Sequence, residues 1–269
     1  MGIFDWLLEN QGINMLTGNS TFLYFQIFNS ISMGMNYFII AAGLSLIFGV
    51  LRVINFAHGA FFMFGAYTVF TVGQDWGLGF WPGVIGAALF LAVISVFLEK
   101  SLFRFLYDKE HLMQLLLTFA IVLIMGDVAK VIWGTDQYSV SYPDGLKGAW
   151  NLGFIFYPSY RLVLCVFGPI ILIGLWYFTE RTRWGRLTKA ATQDREMLAA
   201  LGINVPVIYT SVFLIGSALA GVGGALAAPY NSPVPGMDVF IIVECFVIVI
   251  IGGLGSLWGS FLGALIFGF

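Results

Sequence analysis

The chain has 269 residues, 59% of them hydrophobic and 10% charged, with a mean hydropathy of +0.92. Soluble domains are about a quarter charged, so this composition excludes a soluble globular enzyme or a nucleic-acid binder. It defines an all-α polytopic membrane protein in one domain, 1–269. The net charge of -2 says little about partners, because only the distribution of Lys and Arg between loops is informative in such a chain.

Asp5 and Glu9 precede any basic residue, unlike the n-region of a cleavable signal peptide. Ile3, Phe4, Trp6, Leu7 and Leu8 suit a short interfacial helix. Crossing the hydrocarbon core takes about 20 apolar residues. Candidate spans follow at Phe28–Val50, Asn55–Val72, Trp81–Leu98, Leu112–Trp133, Leu162–Phe178, Val207–Ala228, Val239–Ile251 and Trp258–Phe269, about eight crossings in all. The last stops short of a full span, and the natural chain is expected to continue. Residues 134–160 are turn-rich and aromatic, which suits an outer loop. Cys165 and Cys245 lie in apolar runs and behave as small hydrophobes, with no metal or redox site implied.

Residues 180–206, ERTRWGRLTKAATQDREMLAALGINVP, form the longest polar interruption and hold five of the twelve basic residues. Short basic loops stay on the cytoplasmic side. By alternation, Arg52, Lys100, Arg104 and Lys109 also fall inside, leaving Lys130, Lys147 and Arg161 outside, nine against three. Asp194–Leu201 reads as a short amphipathic helix with Met197, Leu198 and Leu201 on one side and Gly202 as its left-handed stop. It is either a docking helix for a cytoplasmic partner or a helix resting on lipid head groups.

Small residues recur at helix-packing spacing at Gly216, Ala220 and Gly224, and again at Gly255, Gly259 and Gly263. Gly252, Gly253 and Gly255 interrupt the last two spans, either as a tight turn or as a broken helix beside a path. Asn55 caps the second span and His58 satisfies a neighbouring backbone group, or the two belong with Arg52 to an inner gate. Glu244, a carboxylate inside VFIIVECFVIVII, faces the bundle interior or a cavity, where it lines a path or makes a structural hydrogen bond. Asp127 and Lys130 are spaced to pair along one helix face. No phosphate-binding G-x-x-x-x-G-K-[ST] loop, G-x-S-x-G elbow, H-E-x-x-H or cysteine cluster occurs, so no catalytic residue, cofactor site or metal site is expected in the chain.

Three stretches together, GLSLIFGVLRVINFAHGAFFMFGAY, GRLTKAATQDREMLAALGINV and VECFVIVIIGGLGSLWGSFLGALIFG, resemble the permease subunits of ABC importers of the high-affinity branched-chain amino acid type, and within them the H-type permeases. The basic loop is similar to the E-A-A-x-x-x-G coupling element of such permeases. Glu196 and Gly202 keep its spacing, while Met197 and Leu198 replace the two alanines.

The resemblance implies that Asp194, Arg195, Glu196, Met197, Leu198, Leu201 and Gly202 seat on a separate ATPase, which would carry ATP and Mg²⁺. It also implies a second, homologous permease, two cytoplasmic ATPases, an extracytoplasmic binding protein and a bacterial or archaeal inner membrane. INFAHGA resembles the amino-acid members, with urea or short-amide transport as the alternative. From the residues alone, Glu244 and the glycine-broken helices also fit an ion-coupled secondary transporter. A pore is disfavoured, since no charged ring or carbonyl filter is present.

Overall fold

The computed structural model describes residues 20–107, 109–153 and 155–269. The interfacial helix expected at Ile3–Leu8 lies outside them. In chain order the elements are α1 (Ser20–Leu51), α2 (Ala57–Phe70, continued by a π turn, Thr71–Asp75), α3 (Phe80–Ser101), a 3-10 turn (Phe103–Leu106) and α4 (His111–Trp133). Then come β1 (Ala149–Asn151), β2 (Phe156–Pro158), α5 (Ser159–Arg181), α6 (Arg183–Gln193), α7 (Arg195–Ala200), α8 (Val205–Ala227), α9 (Met237–Gly252) and α10 (Leu257–Gly268). The two strands form an antiparallel hairpin in which Trp150 faces Tyr157.

Every expected membrane segment is a helix, but only α1, α3, α4, α5 and α8 are long and apolar enough to cross on their own. α2 has 14 residues because the chain does not turn back as a helix after α1. Arg52 takes a left-handed φ of 54°, and the non-helical residues that follow carry the chain back into the protein. His58 Nε2 then donates to Ile40 O at 2.9 Å, which lies about 16 Å along α1 from that helix's end at 1.5 Å per residue. α9 and α10 are also short and meet at a bend of 119°, with Gly253 and Gly255 at positive φ in the turn between them. The interruption is a sharp bend between two short helices, which together form a broken span or a re-entrant pair.

Burial ranks the helices. In its most apolar stretch α1 is 83% buried and α5 22%, and Ala57 to Val69 of α2 are all buried. α1, α2 and α8 thus form the centre, and α3, α4 and α5 present Leu89, Val93, Leu123, Ile124, Ile170 and Ile173 outward. Those outward residues are what a lipid or protein surroundings would cover.

The centre closes through small residues, because backbones approach only where no Cβ intervenes. A Cβ on Gly65 would lie 2.2 Å from Gly221 O, and one on Gly43 would lie 2.4 Å from Gly216 O. Asn36 adds a bond from Nδ2 to Gly223 O at 3.1 Å. The Tyr160 hydroxyl donates to Leu226 O at 2.6 Å and fixes the start of α5 to the end of α8.

Charges separate by end. Arg52, Lys109, His111 and Arg195 surround one concavity. Lys147 lies with Asp144 and Gln74 around another, on the opposite end. The α6–α7 end is thus the one that carries Arg52, Lys109 and Arg195, residues that the sequence places on one side of the membrane. Asp127 and Lys130 pair at 3.0 Å as their spacing requires.

Candidate coupling site and membrane path

The segment from α5 to α8 is built from capped helices. Thr182 accepts from Gly185 N and starts α6, while Trp184 Nε1 donates to Ser211 Oγ at 2.7 Å and anchors that helix to α8. Lys189 pairs with Glu180 across the reversal. Asp194 Oδ1 accepts from Met197 N at 2.9 Å, capping α7. At its far end Ile203 N donates to Leu198 O and Gly202 N to Ala199 O, the two bonds of a Schellman stop. Asn204 Oδ1 then accepts from Val207 N to start α8.

α7 coincides with the expected helix, but its apolar residues divide. Leu198 is buried, 5% exposed, whereas Met197 and Leu201 are 60% and 71% exposed. Four positions apart on a helix put the latter two on one face, and Leu198 sits about 100° away, against the protein. The chain itself covers Leu198, leaving a two-residue apolar knob flanked by exposed Arg195 and Glu196.

Gly202 has φ 81°, where a β-branched residue is strained by about 1–2 kcal/mol. Gly202→Val is expected to lower the thermal midpoint of the purified protein and Gly202→Asn much less, as measured in detergent.

Beneath α7 lies a groove of 330 Å³ lined by Arg104, Tyr107, Arg195, Ala199, Val205 and Tyr209. Behind it Glu99, 1% exposed, accepts from the Tyr107 hydroxyl at 2.7 Å and from Thr210 Oγ1 at 2.7 Å. Burial, then the bond to Glu99, pushes the Tyr107 phenol well above its ordinary value, so it remains a proton donor throughout the physiological range. Sequence reasoning missed this cluster.

Asn55 and His58 are both fully buried at the start of α2. Asn55 Oδ1 and Nδ2 and His58 Nδ1 have no hydrogen-bond partner. Asn55 therefore does not cap α2 with its side chain, which leaves a polar spot deep in an apolar bundle. Glu244 is not brought to this spot. It lies half-buried on α9 beside Tyr37 of α1, outside the three ion pairs found among the described residues. α9 does reach the start of α2: Phe246 and Phe56 pack with ring centroids 5.0 Å apart, and a Cβ on Gly59 would lie 2.3 Å from Asp238 O.

The spaced glycines act in packing. A Cβ on Gly216 would lie 2.8 Å from Gly43 O and one on Gly224 1.9 Å from Phe62 O. In the α9–α10 corner, a Cβ on Gly252 would lie 2.1 Å from Gly259 O, one on Gly259 1.7 Å from Gly252 O and one on Gly263 2.5 Å from Ile248 O. Gly255 abuts Gly49 of α1, and Gly253 supplies a positive φ of 91°.

A central helix that starts deep in the bundle, a glycine-closed core and a capped helix at the basic end with an exposed knob are features of a membrane permease. The chain belongs to the family described as branched-chain amino acid transport system / permease component, whose pattern matches residues 26–269. Among its relatives it is 27% identical to the high-affinity branched-chain amino acid transport system permease protein LivH of Escherichia coli K12, over 92% of this chain and 85% of that one. It is 30% identical to the permease protein BraD of Pseudomonas aeruginosa, over 90% and 83%. To LivM of Escherichia coli K12 it is 25% identical, over 86% and 60%. No solved structure matches the chain.

Proposed function

We propose that the chain is one permease of an ATP-driven importer of branched-chain amino acids, working with a second homologous permease, two cytoplasmic ATPases that seat on α7 and an extracytoplasmic binding protein. The observation that carries this reading is the Met197–Leu201 knob, held out from the basic end on a helix capped at both ends. An apolar pair of this kind on rigid supports fits a groove on another protein. ATP and Mg²⁺ would be held by the ATPases, and the permease would respond to their opening and closing through differential contact with α7. The unpartnered polar groups of Asn55 and His58, beside α9, are the candidate gate, since such groups persist at membrane depth where a path can hydrate them.

The permease co-purified with its ATPases and reconstituted in vesicles should take up leucine, isoleucine or valine only with ATP and binding protein. Glu244 supports one other reading, coupling to an ion gradient. Uptake that stops when proton and sodium gradients collapse at constant ATP, and that Glu244→Gln abolishes, would replace the first reading with the second. Urea or acetamide uptake in place of leucine would move the substrate and leave the mechanism standing.

A further inference from the structure

The groove beneath α7 raises the question of how a push on this helix reaches the membrane core. α7 faces Arg104 and Tyr107, in the connector after α3, across that groove, and the chain leaving it enters α8 within a few residues. α8 packs on α3, and its start is in addition hydrogen-bonded to the end of α3 through one buried carboxylate. Glu99 Oε2 accepts a hydrogen bond from Thr210 Oγ1 on α8, and Glu99 Oε1 accepts one from the Tyr107 hydroxyl in the connector after α3. Thr210 Oγ1 also lies 2.9 Å from Pro206 O, but its single proton goes to the carboxylate, the stronger acceptor. Tyr107 packs edge-to-face on Tyr209, ring centroids 5.2 Å apart, and Phe103 packs on Phe213, centroids 4.6 Å apart, so the connector grips α8 on both sides of Thr210.

A buried carboxylate is costly unless its hydrogen bonds are complete, so these two bonds resist being broken one at a time. We propose that Glu99 is a positioning residue that locks the start of α8 to the end of α3, so that displacement of α7 moves the two helices as one body. The proposal rests on the reading of α7 as the ATPase-driven element. Without the lock, α7 would tilt the first turn of α8 alone, and hydrolysis would proceed without opening the path.

The test uses the complete complex in vesicles and reads leucine transported per ATP hydrolysed, a ratio indifferent to how much complex is recovered. Thr210→Val preserves shape and removes one donor, and Tyr107→Phe removes the other while keeping the contact with Tyr209. Each is expected to lower the ratio about tenfold, the size of a lost hydrogen bond to a charged group, with binding-protein-stimulated hydrolysis retained. The double variant should fall no further than Glu99→Leu, because both bonds end on one carboxylate.

Glu99→Gln is the rescue. Its amide oxygen still accepts from Tyr107, and its nitrogen donates to Thr210, which turns its own proton to Pro206 O; the ratio should stay within about twofold of the unmodified complex. A ratio unchanged in Thr210→Val and Tyr107→Phe overturns the lock, as does transport and hydrolysis falling in parallel. An unmodified complex without ATP-dependent uptake would instead defeat the reading of α7 itself.

Discussion

Gly224→Val yields no folded permease: on size exclusion in mild detergent the protein elutes aggregated, with no cooperative melting transition. A Cβ at Gly224 would lie 1.9 Å from Phe62 O, and no side-chain rotation relieves a contact with backbone. α8 would have to move off α2 by more than an ångström. α2 cannot retreat, since every residue from Ala57 to Val69 is buried and its opposite faces touch α9 and α4. Overpacking a well-filled core costs about 1–3 kcal/mol where side chains can adjust. Here the shift also parts Gly65 from Gly221 and Gly43 from Gly216, so the loss should consume most of a stability of about 5–15 kcal/mol. Gly126→Ala is the control. Nothing lies within 4 Å of a Cβ at that position on α4, and the substitution should stabilise the helix by up to about 1 kcal/mol.

The Met197→Glu/Leu201→Glu protein is expected to fold, enter the membrane and melt as the unmodified protein does, yet to lose its ATPases on purification and at least about a hundredfold of its ATP-driven uptake. Both side chains are more than half exposed, so the isolated permease has nothing to lose. Two anchors in a partner's groove are each worth about 2 kcal/mol or more, and charges there add a desolvation penalty. Leu198→Ala should do the reverse. It removes a buried anchor and lowers the melting midpoint, by about 2–5 kcal/mol in free energy, while the knob stays intact. ATPase retention read beside thermal stability separates the two faces of α7.

Periodicity made the scaffold legible. Apolar runs located the helices, because bilayer thickness acts on composition alone, but could not tell the five that cross on their own from the short α2, α9 and α10. Asp194 and Gly202 bounded α7 because caps are local chemistry. What stayed hidden depends on tertiary placement. Arg183–Gln193 looked like polar loop, although Trp184, Leu187, Thr188 and Ala191 at three- and four-residue spacing carry the signal of a helix with one covered side. The shortness of α2 comes from contacts with α1 that no local pattern encodes. Glu99 falls just past the expected Trp81–Leu98 span, and its donors stand eight and 111 positions away, beyond the reach of any local pattern. A carboxylate closing an apolar run was the available clue. On α7, the pattern gave three apolar residues and could not say which of them the chain itself would cover.

The most enclosed crossing helix is made before the helices that cover it. α1 enters the bilayer long before its covers exist: Asn36 must wait 187 residues for the Gly223 carbonyl, and Gly34 longer still for α10. Until then the Asn36 amide lacks the Gly223 acceptor. A half-synthesised chain is therefore an orphan in lipid, dependent on insertion factors for shelter and open to membrane proteases. Ribosome pausing or truncation ahead of α8 should empty the membrane of this protein far more thoroughly than a comparable lesion after it.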